Sequence, residues 1–173
     1  MALARSPITP VGAVGRGLLA GVLGTAAMTG WQMLSAKLQS SEGSNDTQAQ
    51  VPEDPWEQAS APAKVAKRIG EGVFKQDVSA DLIPLLTNAT HWGYGTAWGS
   101  AYGLAAGSAR RSRVRDGLLF GTAVWVMSYV QLVPMGLYEP PWTYPPQALA
   151  MELSYHLVYG AGVATGYRIL DRA

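Results

Sequence analysis

Two histidines occur in this sequence of 173 residues, His91 and His156, and there is no cysteine. The absence of cysteine excludes disulfides, thiolate metal sites and a thiol nucleophile. Both histidines open the same local pattern. His91 is followed by Tyr94, Gly95 and Tyr102, and His156 by Tyr159, Gly160 and Tyr167, at identical spacings. Glu152 lies four residues before His156, one helical turn away, where its carboxylate is expected to reach the imidazole. Gln131 and Gln32 occur at matching places in two further apolar stretches. Imidazole relays protons and ligates metals or haem iron. Three chemistries are therefore open. The groups satisfy one another and fix helix register, or they form a proton- or ion-linked site, or they hold a haem or a metal. A metal would need Glu152 or water to complete its shell. No Gly-Lys-Ser phosphate loop, Ser-His-Asp arrangement or carboxylate pair is present, so no enzymatic activity is expected.

Four apolar stretches must position these groups, at about 12–34, 88–107, 116–138 and 148–170. Each is close to the roughly 20 residues that cross a bilayer core. The average hydropathy is only slightly positive because a long polar stretch, 35–87, dilutes them. The second stretch is the weakest, with Thr90, His91, Thr96 and Ser100 inside it. A cleaved signal peptide is not expected, since the first apolar run is long and no cleavage site follows it. The expectation is one all-α domain over 1–173, a transmembrane four-helix bundle.

Basic residues orient it. Arg110, Arg111, Arg113 and Arg115 link the second and third stretches, Arg5 and Arg16 flank the start of the first, and Arg168 and Arg172 close the fourth. The positive-inside rule places these arginines in the cytoplasm, with both termini. The net acidic 35–87 loop and the 139–147 link then face outward, and His91, His156, Glu152, Gln131 and Gln32 share one layer in the outer half. Ser40 to Gln50 reads as a flexible polar stretch. Pro62 to Phe74 reads as a short amphipathic helix, with Val65, Ile69 and Val73 on one face and Lys64, Lys67, Arg68 and Glu71 on the other. Trp31, Trp56, Trp92, Tyr138, Trp142 and Tyr144 suit an interfacial aromatic belt. Glu53 and Glu139 read as turn residues at the water interface.

The order of motifs repeats. Gly17-Leu18-Leu19-Ala20-Gly21 is echoed by Gly117-Leu118-Leu119-Phe120-Gly121, Glu53-Asp54-Pro55-Trp56 by Glu139-Pro140-Pro141-Trp142, and the His91 pattern by the His156 pattern. Two parallel helical-hairpin repeats, related by an axis along the membrane normal, account for this. Glycines recur every fourth residue: Gly95, Gly99, Gly103 and Gly107, then Gly17 and Gly21, Gly117 and Gly121, Gly162 and Gly166. Such stripes let helices approach closely, either within the chain or at an oligomer interface.

The second half resembles the YagU-type family of small bacterial inner-membrane proteins, a domain of unknown function. The resemblance rests on Thr90-His91, Tyr102, Gly117-Leu118-Leu119, Met135-Gly136-Leu137, Pro140-Pro141, Glu152 and His156-Leu157-Val158. The first half matches only in its glycine-rich first stretch, and the long loop departs from the family pattern. The resemblance implies a multi-pass protein of the bacterial inner membrane and no known activity. The leading expectation is a non-enzymatic accessory or structural membrane subunit that packs on a protein partner, or on itself, through its glycine faces. The alternative is a small conductor or carrier of protons or metal ions using the His/Glu site, with a bis-histidine haem electron carrier behind it. With charges nearly balanced, no nucleic-acid partner is expected.

Overall fold

Proline and glycine set most of the helix boundaries. The computed structural model describes residues 9–42, 54–109 and 114–172. It contains five α-helices: α1 (Pro10–Glu42), α2 (Ala61–Gly72), α3 (Ile83–Ala109), α4 (Val114–Leu132) and α5 (Pro146–Leu170). Single 3-10 turns at Ala80–Leu82 and Pro141–Thr143 precede α3 and α5. Pro146 and Pro62 stand in the first turns of α5 and α2, where the missing N–H costs nothing.

Three of the expected apolar runs have different ends. α1 continues past 34 to Glu42, because no Gly or Pro interrupts the chain between Gly30 and Gly43. α3 starts at Ile83 rather than 88, since Ile83, Leu85 and Leu86 extend the apolar run and Pro84 suits its first turn. The third run stops at Leu132 instead of 138. Pro134 disfavours helical geometry at Val133, and Gly136 turns the chain at φ 64° while the Leu137 amide donates to the Leu132 carbonyl at 3.0 Å. The amphipathic segment ends at Gly72, beyond which Lys75 has φ 56° and the Gln76 amide donates to the Gly70 carbonyl.

The long helices pack side by side in the order α3, α1, α5, α4, and α3 meets α4 only through side chains. Glycines decide how close the neighbours come. A methyl on Gly17 would lie 2.8 Å from the Ser100 Cα, one on Gly21 would lie 2.9 Å from the Thr96 Cα, and one on Gly103 would lie 2.8 Å from the Gly17 Cα. The α1–α3 seam is thus backbone against backbone. Gly117, Gly121 and Gly160 do the same between α4 and α5, where a methyl on Gly160 would lie 2.9 Å from the Gly121 Cα. Gly162 and Gly166 serve a third seam, against Gly24 and Ala20 of α1. Gly107 faces the Ala13 methyl and the Tyr167 hydroxyl. Each named glycine stripe is therefore used inside this chain.

The hairpins α1–α3 and α4–α5 are built alike but slip by one helical turn. Gly21 crosses α3 at Gly95, whereas Gly121 crosses α5 at His156, four residues before the repeat equivalent of Gly95. Tyr102 and Tyr167, equivalent in the repeat, meet edge to face with centroids 5.9 Å apart. The fourth seam, α3 against α4, is wider. Where α5 presents Gly162, Val163 and Gly166 to α1, the equivalent α3 positions are Ala97, Trp98 and Ala101. Trp98 and Phe120 meet across this seam at 6.2 Å, and Tyr102 and Phe120 at 5.0 Å, so large rings hold the helices apart.

Small and aromatic residues dominate the buried set, while most large aliphatic ones face outward. Ala20, Thr25, Tyr102, Tyr159, Val163 and Tyr167 are buried, while Leu19 is 57% exposed, Leu119 66% and Val130 57%. By length and composition, one described helix, α1 over Pro10–Ser40, is long and apolar enough to cross a membrane. α2 lies on α3, with Ala63 fully buried and the Ser60 and Thr87 hydroxyls bonded at 2.8 Å. Arg68 of α2 donates to the Met135 carbonyl, tying α2 to the turn after α4.

Candidate functional site: a polar cavity at one end of the bundle

The chain directions place the C-terminal ends of α1 and α4 beside the N-terminal ends of α3 and α5. At that end the wide α3–α4 seam opens into a cavity of about 510 Å³. Met28, Thr29 and Gln32 line it from α1, Thr90, His91 and Tyr94 from α3, Ser128 and Gln131 from α4, and Glu152, Tyr155 and His156 from α5. Ala61, Pro62 and Val65 of α2 cover one side. The sequence-predicted His91, His156, Glu152, Gln131 and Gln32 therefore share one space. At the other end Arg16 pairs with Asp171 at 3.0 Å. Arg5, Glu53, Arg110, Arg111 and Arg113 lie outside the described residues.

Layering along each helix is regular. One or two turns beyond the cavity residues come Ala20 on α1, Tyr102 on α3, Val124 on α4, and Tyr159 and Val163 on α5, all in one core cluster, with Trp98 and Phe120 packed against it. The Tyr159 hydroxyl donates to the Gly95 carbonyl at 2.6 Å, linking α5 to α3 beneath the cavity. Aromatic rings thus pack directly inward of the polar space.

The polar groups are paired differently from the expectation. The i, i+4 spacing predicts a bond from the Glu152 carboxylate to the His156 ring. Instead His156 Nδ1 lies 2.8 Å from the Glu152 backbone carbonyl, one turn back on the same helix. The carboxylate turns away and accepts from the Tyr129 hydroxyl at 2.5 Å. A carbonyl only accepts, so His156 Nδ1 carries a proton and, in the neutral ring, Nε2 keeps its lone pair. Gln131 Oε1 accepts from the Tyr94 hydroxyl at 3.0 Å across the α3–α4 seam. His91 Nε2 and Thr29 Oγ1 are buried without a hydrogen-bond partner among the described residues. Two polar atoms left open beside one cavity are costly unless something fills it. Tyr138, in the link after α4, is pushed up to about 12 by burial first and the Glu152 charge second, so it stays a protonated donor.

Among the described residues, no three His, Asp or Glu side chains converge as a metal shell requires. Tyr129 and Thr29 are the parts that sequence reasoning missed. Tyr129 lies two residues before Gln131 in an apolar run and carries no motif, and its role depends on which way α4 faces.

The chain matches no protein-family model, no curated protein and no solved structure. The arrangement of its own residues therefore carries the functional argument. Trp31 Nε1 donates to Ser154 Oγ at 2.9 Å and Ser35 bonds the Tyr155 hydroxyl at 2.9 Å, so the α1–α5 wall is cross-linked by side chains as well as by glycine packing. That wall is braced, whereas the α2 side is held by the Ser60–Thr87 and Arg68–Met135 bonds.

Proposed function

We propose that this chain is a four-span membrane protein, with α1, α3, α4 and α5 as the spans, that binds a small polar molecule in the cavity from the outer side without transforming it chemically. The carrying observation is a 510 Å³ space lined from all four long helices and bordered by two buried polar atoms without partners. Cavities of this size with a few convergent polar groups are typical ligand sites. The membrane part is supported by the outward aliphatic surface and by the absence of Asp, Glu, Lys and Arg throughout α3. A side chain such as Glu152, facing a bundle interior, is the usual arrangement for a costly intramembrane ionisable group.

The glycine faces support intrachain packing, so an accessory subunit would have to dock through its aliphatic surface. The aromatic layer inward of the cavity favours a binding site over an open conductor in this conformation. Membership in the YagU-type family belongs to the same proposal, and five residues that carry the resemblance (Thr90, His91, Met135, Glu152 and His156) line the cavity.

Two buried positions one turn apart on α4 test the reading. Ser128 lines the cavity and Val124 lies in the core beyond it. In intact cells, Ser128→Cys should react with a small impermeant thiol reagent and Val124→Cys should not. An inert Ser128→Cys, or equal reaction at both, would remove the outward-opening cavity.

A further inference from the structure

Resting on that cavity reading, we propose that the ligand is a small organic amine whose ammonium head takes Glu152 as its counter-charge. Among the described residues, Glu152 is the one acidic side chain lining the cavity, and neither Lys nor Arg lines it. Its hydrogen bond from Tyr129 orients the carboxylate but supplies no positive charge. A half-buried carboxylate facing a bundle interior without a cation beside it is unfavourable, and a ligand cation relieves this. The neighbouring groups add acceptors. His156 Nε2 keeps a lone pair because Nδ1 is committed to the backbone, and Thr29 Oγ1 is open. An R–NH₃⁺ group offers three donors and no acceptor, the complement of such a set. Tyr94, Tyr138 and Tyr155 border the same space, and aromatic rings favour a cation over an anion. A bare metal ion lacks a three-ligand shell among the described residues. Leu132, Met135 and Val65 leave room for the hydrocarbon part of an amine.

The test uses the purified full chain in lipid nanodiscs and three probes of one shape: n-butylammonium, butyramide and butyrate. Binding is read by calorimetric titration and by the rise in unfolding temperature. The expected result is saturable binding of butylammonium at least about tenfold tighter than butyramide, with butyrate weakest. Glu152→Gln should remove the preference for butylammonium while leaving butyramide binding in place, which also shows that the variant folds. Should Glu152→Gln fail to fold, the parent's ranking of the three probes decides alone. Equal binding of butylammonium and butyramide to the parent would overturn the amine proposal while leaving the cavity reading intact. Binding of none of the three overturns the amine proposal, and the Ser128→Cys labelling then judges the cavity separately.

Discussion

Replacing Gly99 and, separately, Gly93 with alanine puts the same methyl group on two sides of α3. At Gly99 the new carbon would lie 2.7 Å from the Gly21 amide nitrogen, with Gly17 and Gly21 backbone atoms as its other close neighbours. None of these can rotate away, so α1 and α3 must part. At Gly93 the new carbon meets nothing within 4 Å. Both changes gain helix propensity, about 1 kcal/mol relative to glycine. Overpacking costs about 1–3 kcal/mol where the neighbours yield, more where they are backbone. The steric term therefore wins at Gly99, leaving a net loss of about 2 kcal/mol or more. At Gly93 the gain stands alone, at up to about 1 kcal/mol. The assay is reversible unfolding of both variants in mixed micelles, followed by circular dichroism. The expected outcome is opposite signs from identical chemistry on one helix. If Gly99→Ala were as stable as Gly93→Ala, the close α1–α3 seam would be wrong.

Cysteines placed singly at Asp77 and Ser108 should differ in intact cells, Asp77→Cys reacting with an impermeant maleimide and Ser108→Cys reacting only after permeabilisation; the reverse pattern would invert the bundle. Tyr159→Phe removes a bond to the Gly95 carbonyl and should cost about 0.5–1.5 kcal/mol in the same unfolding assay; no change would mean that the hydroxyl does not hold α5 to α3. His91→Ala and His156→Ala should couple in a double-mutant cycle by about 0.5–3 kcal/mol, because both rings border one cavity. Measuring that cycle above and below the reference histidine pKa of about 6.5 tests whether the coupling involves charge; strict additivity at both values would mean two separate structural residues.

Much of the arrangement was legible in the residues. Glycine every fourth position specifies a helix face without side chains, and a face without side chains can approach another backbone. The paired Tyr102 and Tyr167 fell at equivalent places in the repeat and do meet. The His91 and His156 motifs, read with Glu152 and Gln131, pointed to one polar layer, and these residues line one cavity. Proline and glycine also mark where α4 ends, although the apolar run through Leu137 argued for a longer helix.

What the sequence could not supply was register and facing, because both depend on distant backbones meeting in space. Equal spacing after each histidine suggested equal depth in the two hairpins. The packing slips them by one turn, since α5 offers only Gly160 and the His156 backbone to Gly121, while α3 offers three successive glycines to α1. The Glu152 carboxylate was free to choose between its own helix and Tyr129, and the orientation of α4 settled that choice. A two-fold relation between the hairpins would make the α3–α4 seam the equal of the α1–α5 seam. The cavity exists because Trp98 stands where Val163 stands in the other hairpin, and with Phe120 it holds α3 and α4 apart. Periodicity along one helix records which residues are small, but the space left between two helices is set by the larger of the facing pair, and that pairing is a property of the fold.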